Sequence, residues 1–250
     1  MAIRDEIKEQ TIKLKDMDNK HRLEYVWHYY KWWFIAAIVA VIAITALIKT
    51  VIFNNKPIYL NAVFLNSDIS MQGENDQMAI DFGNALLVDA REYRIVFDYS
   101  SFVTNDFSDQ VAYANKIKLL SRYTTEEIDV CIGPDLVMTD AADFGEYLNF
   151  EEALPAELIN RIQNKGYEPF YYTEKIYDDY SDKNGEPSYT EGETYLAGFY
   201  VDNCPKLIDE YGVYSRETAN TKENGRLVLT IAPNTPNLAH AIEFVEYIID

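Results

Sequence analysis

Several polar side chains stand where predicted strands end, and their chemistry suits the binding of a small ligand. The apolar run 128–134 ends in Gly133-Pro134-Asp135, and two earlier strands end near Asn66, Ser67, Tyr99 and Ser100. In open α/β sheets, ligands bind beyond the carboxyl ends of the strands, where the strand order reverses. We therefore expect a ligand-binding site formed by Asn66, Tyr99, Ser100 and Asp135. Gly-Pro-Asp is also typical of a tight turn that caps the next helix, so this second interpretation stays open.

A second group of candidate binding residues is aromatic. Ten of the 20 tyrosines lie between Tyr167 and Tyr214, several of them among aspartates and glutamates. Aromatic rings edged with carboxylates suit a sugar or a protein partner, since tyrosine gives a large contact area at a low cost in side-chain entropy. We expect a partner-binding surface that includes Tyr171, Tyr172, Tyr177 and Tyr180. The alternative is that these rings pack against one another inside a small lobe.

Residues that would carry out catalysis or hold a metal do not form a recognisable motif. His240 is the only histidine after His28, and the sequence contains no Gly-x-Ser-x-Gly, zinc-type histidine spacing or phosphate-binding loop. Residues 182–191 match part of a calcium-binding loop, but Tyr180 occupies the position of the first carboxylate ligand. We therefore expect a protein that is not an enzyme, with no catalytic residue, no metal site and no cofactor.

The apolar segment Trp32–Phe53 decides on which side of a membrane the candidate binding residues lie. Its first 17 residues carry no charge, and its 22 residues span about 33 Å as an α-helix, enough to cross a bilayer. Aromatic residues crowd its amino-terminal edge, at the depth of lipid headgroups. We expect a transmembrane helix. A cleaved signal peptide is the competing interpretation, but its charged region would be 31 residues long, and no small-x-small cleavage site follows Ile48.

Charge on the two sides of this segment predicts its orientation. Seven Lys or Arg residues precede Trp32, whereas only Lys49 and Lys56 lie close to the other end. Flanking segments rich in Lys and Arg stay in the cytoplasm. We expect residues 1–31 to form a cytoplasmic helical tail, residues 32–53 the transmembrane helix, and residues 54–250 a domain outside the plasma membrane.

The outer domain is strongly acidic. From Asn54 onward it carries 35 of the 41 acidic residues and 14 of the 22 basic residues, a net charge of −21. Nucleic acids and anionic lipids repel such a domain, so neither is an expected partner. Two cysteines are too few for a disulfide framework. We expect Cys131 to be a buried apolar residue, with a Cys131–Cys204 bridge as the alternative.

Strand and helix patterns alternate in the outer domain. Strand patterns at 57–66, 92–100 and 128–134 are separated by helical patterns at 76–89 and 107–121. This alternation predicts βαβ units and a parallel sheet. A tyrosine-rich hairpin or excursion follows at 167–188, and then come strands at 195–201 and 226–232 and a closing helix at 237–249.

Three stretches carry a resemblance to a known family. They are IDVCIGPDLVMTDAADFGEYLNFEEALP (128–155), LAGFYVDNCPKL (196–207) and RLVLTIAPNTPNLAHAIEFVEYII (226–249). They resemble type 2 extracellular solute-binding proteins, and with the collar EYVWHYYKWW (24–33) the chain is similar to membrane-anchored, uncharacterised relatives from Gram-positive anaerobes. The resemblance implies a three-layer α/β/α domain. Residues 166–226 are too few for a complete second lobe, so we expect a reduced, tyrosine-rich one.

The resemblance also implies a function. We expect a single-pass membrane protein whose outer domain recognises a small solute or a peptide without catalysis. The alternative is an accessory or scaffold subunit of a membrane complex, for example a transporter, in which the ligand cleft has been lost and the partner is another membrane protein.

Overall fold

The computed structural model describes residues 18–50, 56–69, 76–104, 109–140, 147–181, 187–222 and 225–250. The chain divides into two compact units, Met1–Lys56 and Pro57–Asp250. Most of the predicted cytoplasmic tail (residues 1–17) and the calcium-loop residues 182–186 lie outside the described residues.

The first unit contains one long helix, α1, which runs from Asn19 to Ile48. Its stretch Tyr30–Ile48 is long and apolar enough to cross a membrane, with a mean hydropathy of 2.2, and none of it is buried inside the protein. The hydroxyl of Thr45 donates to the carbonyl of Val41 at 2.7 Å, so this polar group is satisfied within the helix. A signal sequence near the amino terminus meets the same criterion of length and composition.

The second unit is built on one mixed sheet. Its strands are β1 Ile58–Phe64, β2 Arg94–Asp98, β3 Val130–Pro134, β4 Pro169–Ser181, β5 Pro187–Tyr200, β6 Asn220–Thr221 and β7 Gly225–Ile231. They follow the order β2-β1-β3-β7-β5-β4, and β6 pairs with β7. β1 is parallel to β2 and to β3, which confirms the predicted parallel arrangement of these three strands. The other pairs are antiparallel.

Helices cover both faces of the sheet. They are α2 Gln77–Ala85, α3 Gln110–Thr124, α4 Asp135–Asp140, α5 Phe150–Ala153, α6 Ala156–Asn164 and α7 Leu238–Ile249, with a π-helical turn at Lys206–Glu210. On one face, Phe64 of β1 joins Phe82 of α2 and Phe244 of α7 in a core. On the other face, Val63 of β1 joins Leu119 of α3 in a second core. Successive residues of a strand point to opposite faces, so β1 contributes to both cores.

The region 166–226, predicted as a reduced second lobe, contributes β4, β5 and β6 to the same sheet and lies in the same compact unit. Leu196 and Phe199 of β5 are buried in the core that contains α2 and α7. Ala197, between them, is buried in the core that contains α3. The stretch 167–188, predicted as a hairpin or an excursion, contains β4 and only the start of β5, which continues through most of the strand predicted separately at 195–201.

The two cysteines lie in different cores. Cys131 is buried in the core that contains α3, whereas Cys204 is buried in the core that contains α2 and α7. Both are free thiols, so the alternative of a Cys131–Cys204 bridge is wrong. Burial raises the pKa of the Cys131 thiol to about 12, as expected for the predicted buried apolar residue.

Candidate functional site

The predicted ligand-binding residues follow the carboxyl ends of β1, β2 and β3, but each of them is bonded within the protein. Asn66 has a left-handed backbone with φ of 56°. Its side-chain oxygen accepts from the amide of Val103 at 2.7 Å, and its side-chain nitrogen donates to the carbonyl of Val103 at 2.8 Å. Asn66 therefore clamps the loop that follows β2, and both ends of its amide are used.

Tyr99 and Ser100, just after β2, also have internal partners. The ring of Tyr99 is 5% exposed and stacks on Phe64 with 4.8 Å between centroids, so it belongs to the core. Burial, together with the charge of Asp76, raises the pKa of Tyr99 well above its usual value. The hydroxyl of Ser100 donates to Asp98 Oδ1 at 2.6 Å. The ring of Tyr99 is therefore held in the core, and the hydroxyl proton of Ser100 is bonded within the protein.

Asp135 joins the start of α4 to the start of β7. Its Oδ1 accepts from the amide of Arg226 at 3.0 Å, and its Oδ2 accepts from the hydroxyl of Tyr200 at 3.2 Å. Gly225 has φ of +88°, and a Cβ at this position would lie 1.8 Å from Asp135 Oδ1. The close approach of the backbone at position 225 to Asp135 therefore requires glycine. Asp135 connects α4 and β7, which are far apart in sequence.

A cluster around Arg226 fills the same edge of the sheet. Its Nε and Nη2 donate to the two carboxylate oxygens of Asp202 at 2.8 and 3.1 Å, and its Nη1 donates to Glu168 at 2.8 Å. The guanidinium lies over the ring of Tyr200. Hydrogen bonds to Asp202 and Glu168 outweigh partial burial and raise the pKa of Arg226 above its usual value. We call Arg226, Asp202, Glu168, Tyr200 and Asp135 the Arg226 cluster.

Sequence reasoning placed Asp135 at this edge but missed Arg226, Asp202 and Glu168. A signal was available for Asp202, which directly follows the predicted strand 195–201 in the same way that Asp135 follows 128–134. Within the part of the chain that the structure describes, this edge is held together by ion pairs and hydrogen bonds. The side chains at the adjoining ends of β3, β5 and β7 bond to one another.

The second candidate surface is the long hairpin of β4 and β5. The two strands pair from Pro169 and Phe199 outward to Ser181 and Pro187. β5 pairs with β7 only through residues 198–200. Among the described strands, residues 171–181 and 187–196 therefore pair only with each other. We call this two-stranded segment the tyrosine ribbon.

The structure separates the tyrosines that were predicted as a partner surface. Tyr171 is 54% exposed, so its ring is accessible at the surface. Tyr172 is 6% exposed and packs edge-on against Tyr147 at 4.9 Å, so including it in a surface was wrong. Consecutive strand residues point to opposite sides, which places Tyr172 in the core when Tyr171 is outside. Tyr177 and Tyr180 lie in β4, but their side chains are outside what the structure describes.

Further exposed groups lie on the ribbon beside Tyr171. Tyr189, opposite Tyr177 in register, is 47% exposed, and the ammonium of Lys175 lies 5.2 Å from the centre of its ring. The hydroxyls of Thr173 and Thr194 are 2.8 Å apart across the strands. Ribbon residues 171–181 and 187–196 contain one lysine against five acidic residues: Glu174, Asp178, Asp179, Glu191 and Glu193. The ribbon is therefore both aromatic and acidic.

Comparison with protein families, curated proteins and solved structures found no match to this chain.

The polar side chains near α7 also have partners within the protein. Lys165 and Lys206 line an open cavity, but they donate to the carbonyls of Ile249 at 2.9 Å and Tyr247 at 2.6 Å and so cap the last turn of α7.

His240 stacks on Tyr59, with 3.6 Å between the ring centroids, and shares the carboxylate of Glu243 with the Tyr59 hydroxyl. In the described ranges, no group of three or more His, Cys, Asp or Glu side chains is arranged to hold a metal ion.

Proposed function

We propose that this chain is a single-pass membrane protein whose α/β domain binds a protein or peptide partner without catalysis. The observation that carries the proposal is the exposure of Tyr171 and Tyr189 on the tyrosine ribbon. Exposed aromatic rings that project from a sheet are typical of partner-binding surfaces, where Tyr is enriched. The acidic residues around them suit a partner with basic groups.

The expected orientation is part of the proposal. Seven basic residues before Trp32 favour a cytoplasmic amino terminus, with residues 54–250 outside the plasma membrane. A cysteine introduced at exposed Leu87 should react with a membrane-impermeant maleimide in intact cells, whereas one at Glu24 should react only after lysis. Labelling at position 24 in intact cells would indicate the opposite orientation. Release of the domain into the medium would indicate a cleaved signal peptide.

We also propose a relationship to type 2 solute-binding proteins. The alternation of strands and helices through β3, and the helices on both faces of the sheet, support it. A small solute is the less favoured ligand, because Asn66, Ser100 and Asp135 are bonded internally. Because these side chains are bonded within the protein, an accessory subunit that has lost its ligand cleft fits this edge better than a receptor for a small solute does. In either case, a peptide or protein is the partner we favour.

Photocrosslinking in native membranes tests the partner surface. A photoreactive amino acid at position 171 or 189 of the full chain should give the same crosslinked product in repeated experiments. The same group at Leu87, which is 90% exposed and distant in sequence, is the matched control and should not give it. The absence of a product at both ribbon positions, or an equal product at Leu87, would overturn the proposal.

A further inference from the structure

The outward side of α3 exposes apolar residues. Val111, Tyr113 and Ile117 are each at least half exposed, while Ala112 and Leu119 on the inward side are buried. Phe102 is also half exposed and lies beside the helix, because the side chain of Asn115 donates to its carbonyl at 2.9 Å. The outward side of a surface helix is usually polar, so several exposed apolar residues on one helix indicate a contact surface.

This surface differs from the rest of the domain in its charge. Helix α3 contains Lys116, Lys118 and Arg122 and no acidic residue, although the domain has a net charge of −21. Arg122 forms ion pairs with Asp98 and Glu127. Lys118 is exposed and places a positive charge beside the apolar residues. We call Phe102, Val111, Tyr113, Ile117 and Lys118 the α3 face.

The α3 face and the tyrosine ribbon are complementary. One is apolar and basic, and the other is aromatic and acidic. A two-stranded ribbon is marginally stable in water unless something packs against it. Contact with an apolar surface would cover the rings of Tyr171 and Tyr189, while Lys118 would meet the excess of carboxylates on the ribbon.

We propose that the tyrosine ribbon of one copy of this chain docks on the α3 face of a second copy. The inference rests on the proposed function and names the partner of the ribbon. The contact joins two different surfaces, so it repeats from copy to copy and forms rings or rows. A common membrane anchor raises the effective concentration of the copies and favours such a contact even when it is weak.

Disulfide crosslinking of full-length chains in membranes tests the contact. Chains carrying Ile117→Cys, coexpressed with chains carrying Tyr189→Cys, should form a mixed dimer under mild oxidation. Each variant expressed alone should not, because the two surfaces are different. Leu87→Cys coexpressed with Tyr189→Cys is the matched control and should stay monomeric. The native cysteines are buried and do not compete.

A charge change gives a second measurement. Lys118→Glu should reduce the yield of the mixed dimer by roughly tenfold, which corresponds to about 1.4 kcal/mol. An unchanged thermal unfolding midpoint would show that the variant is folded.

Failure of this inference is distinguishable from failure of the proposed function. A dimer of Tyr189→Cys chains alone would indicate a symmetric ribbon contact and overturn the inference. The absence of any mixed dimer, together with photocrosslinking from position 189 to a different protein, would also overturn it while supporting the proposed function. The absence of both products would overturn both.

Discussion

The guanidinium carbon of Arg226 lies 4.1 Å from the centre of the Tyr200 ring. This stack, together with the two bonds from Arg226 to Asp202, holds the start of β7 against the end of β5. The hydroxyl of Tyr200 in turn donates to Asp135, so these contacts connect the ends of β3, β5 and β7. Asp135, predicted to contact a ligand, therefore has two partners within the protein at this edge.

Replacing Arg226 tests this role. Arg226→Ala should lower the free energy of unfolding by about 1–3 kcal/mol, because Asp202 is only 10% exposed and would lose a charged partner. Arg216→Ala is the matched control, since Arg216 also binds a carboxylate, Asp209, but both side chains are largely exposed. Its cost should be below about 1 kcal/mol. Urea unfolding measures both, and equal losses would contradict the role of Arg226.

Gly225 should tolerate substitution worse than Gly212. Both have positive φ, so alanine costs about 1–2 kcal/mol at either position. Gly212 has nothing within 4 Å of a new Cβ, whereas a Cβ at Gly225 would collide with Asp135. Gly225→Ala should therefore cost about 1–3 kcal/mol more than Gly212→Ala. In a double-mutant cycle, Asp135→Ala should remove part of this difference, and strict additivity would argue against the collision.

Asp98 should contribute stability that depends on pH. Burial alone would raise the pKa of Asp98, but hydrogen bonds from Ser100 and the charge of Arg122 outweigh burial, and the pKa lies below its usual value. The contribution is therefore present above about pH 4, the ordinary value for Asp, and is lost as the pH falls through the lowered pKa. Asp98→Asn should be less stable than the parent at pH 7, and the gap should narrow below about pH 4.

Urea unfolding of both proteins from pH 7 to pH 3 measures that gap. Glu92→Gln, at an exposed position on the turn before β2, is the control and should show a small, constant difference. A gap for Asp98→Asn that stays constant throughout this range would contradict the assignment.

Both thiols should be unreactive in the native protein. Cys131 is buried and its pKa is raised to about 12, and burial also raises the pKa of Cys204. Because the thiolate is the reactive form, alkylation near pH 8 should be slow until the protein unfolds. Mass spectrometry should then find two added groups per chain without any reductant. Rapid labelling of the folded chain, or a requirement for reductant, would contradict this arrangement.

The first three strands were predictable because their signals are local. The continuous apolar run in β3 indicates its burial directly, whereas the alternating apolar residues in β1 indicate only one of its two buried faces. Asp135 could be placed at the end of its strand for the same reason. Its partner could not, because Arg226 is 91 residues away and reaches Asp135 only through the antiparallel pairing of β3 with β7.

The tyrosine region could not be resolved from sequence for a different reason. Tyr171 and Tyr172 are adjacent and chemically identical, so only the register of β4 against β5 decides which ring is buried. That register shifts between Phe170 and Tyr171, where the regular pairing is interrupted. Phe170 and Tyr172 are buried in the same core, so the faces of β4 alternate through this shift, and composition alone does not reveal which face is the buried one.

The position of β1 has a mechanical consequence. β1 is the first strand after the apolar helix in the chain, and it is hydrogen-bonded on both sides to parallel neighbours. A pull along the axis of β1 would load the bonds to β2 and β3 together, in shear. Tension applied at the amino-terminal side of the domain would therefore be shared between two strand pairs.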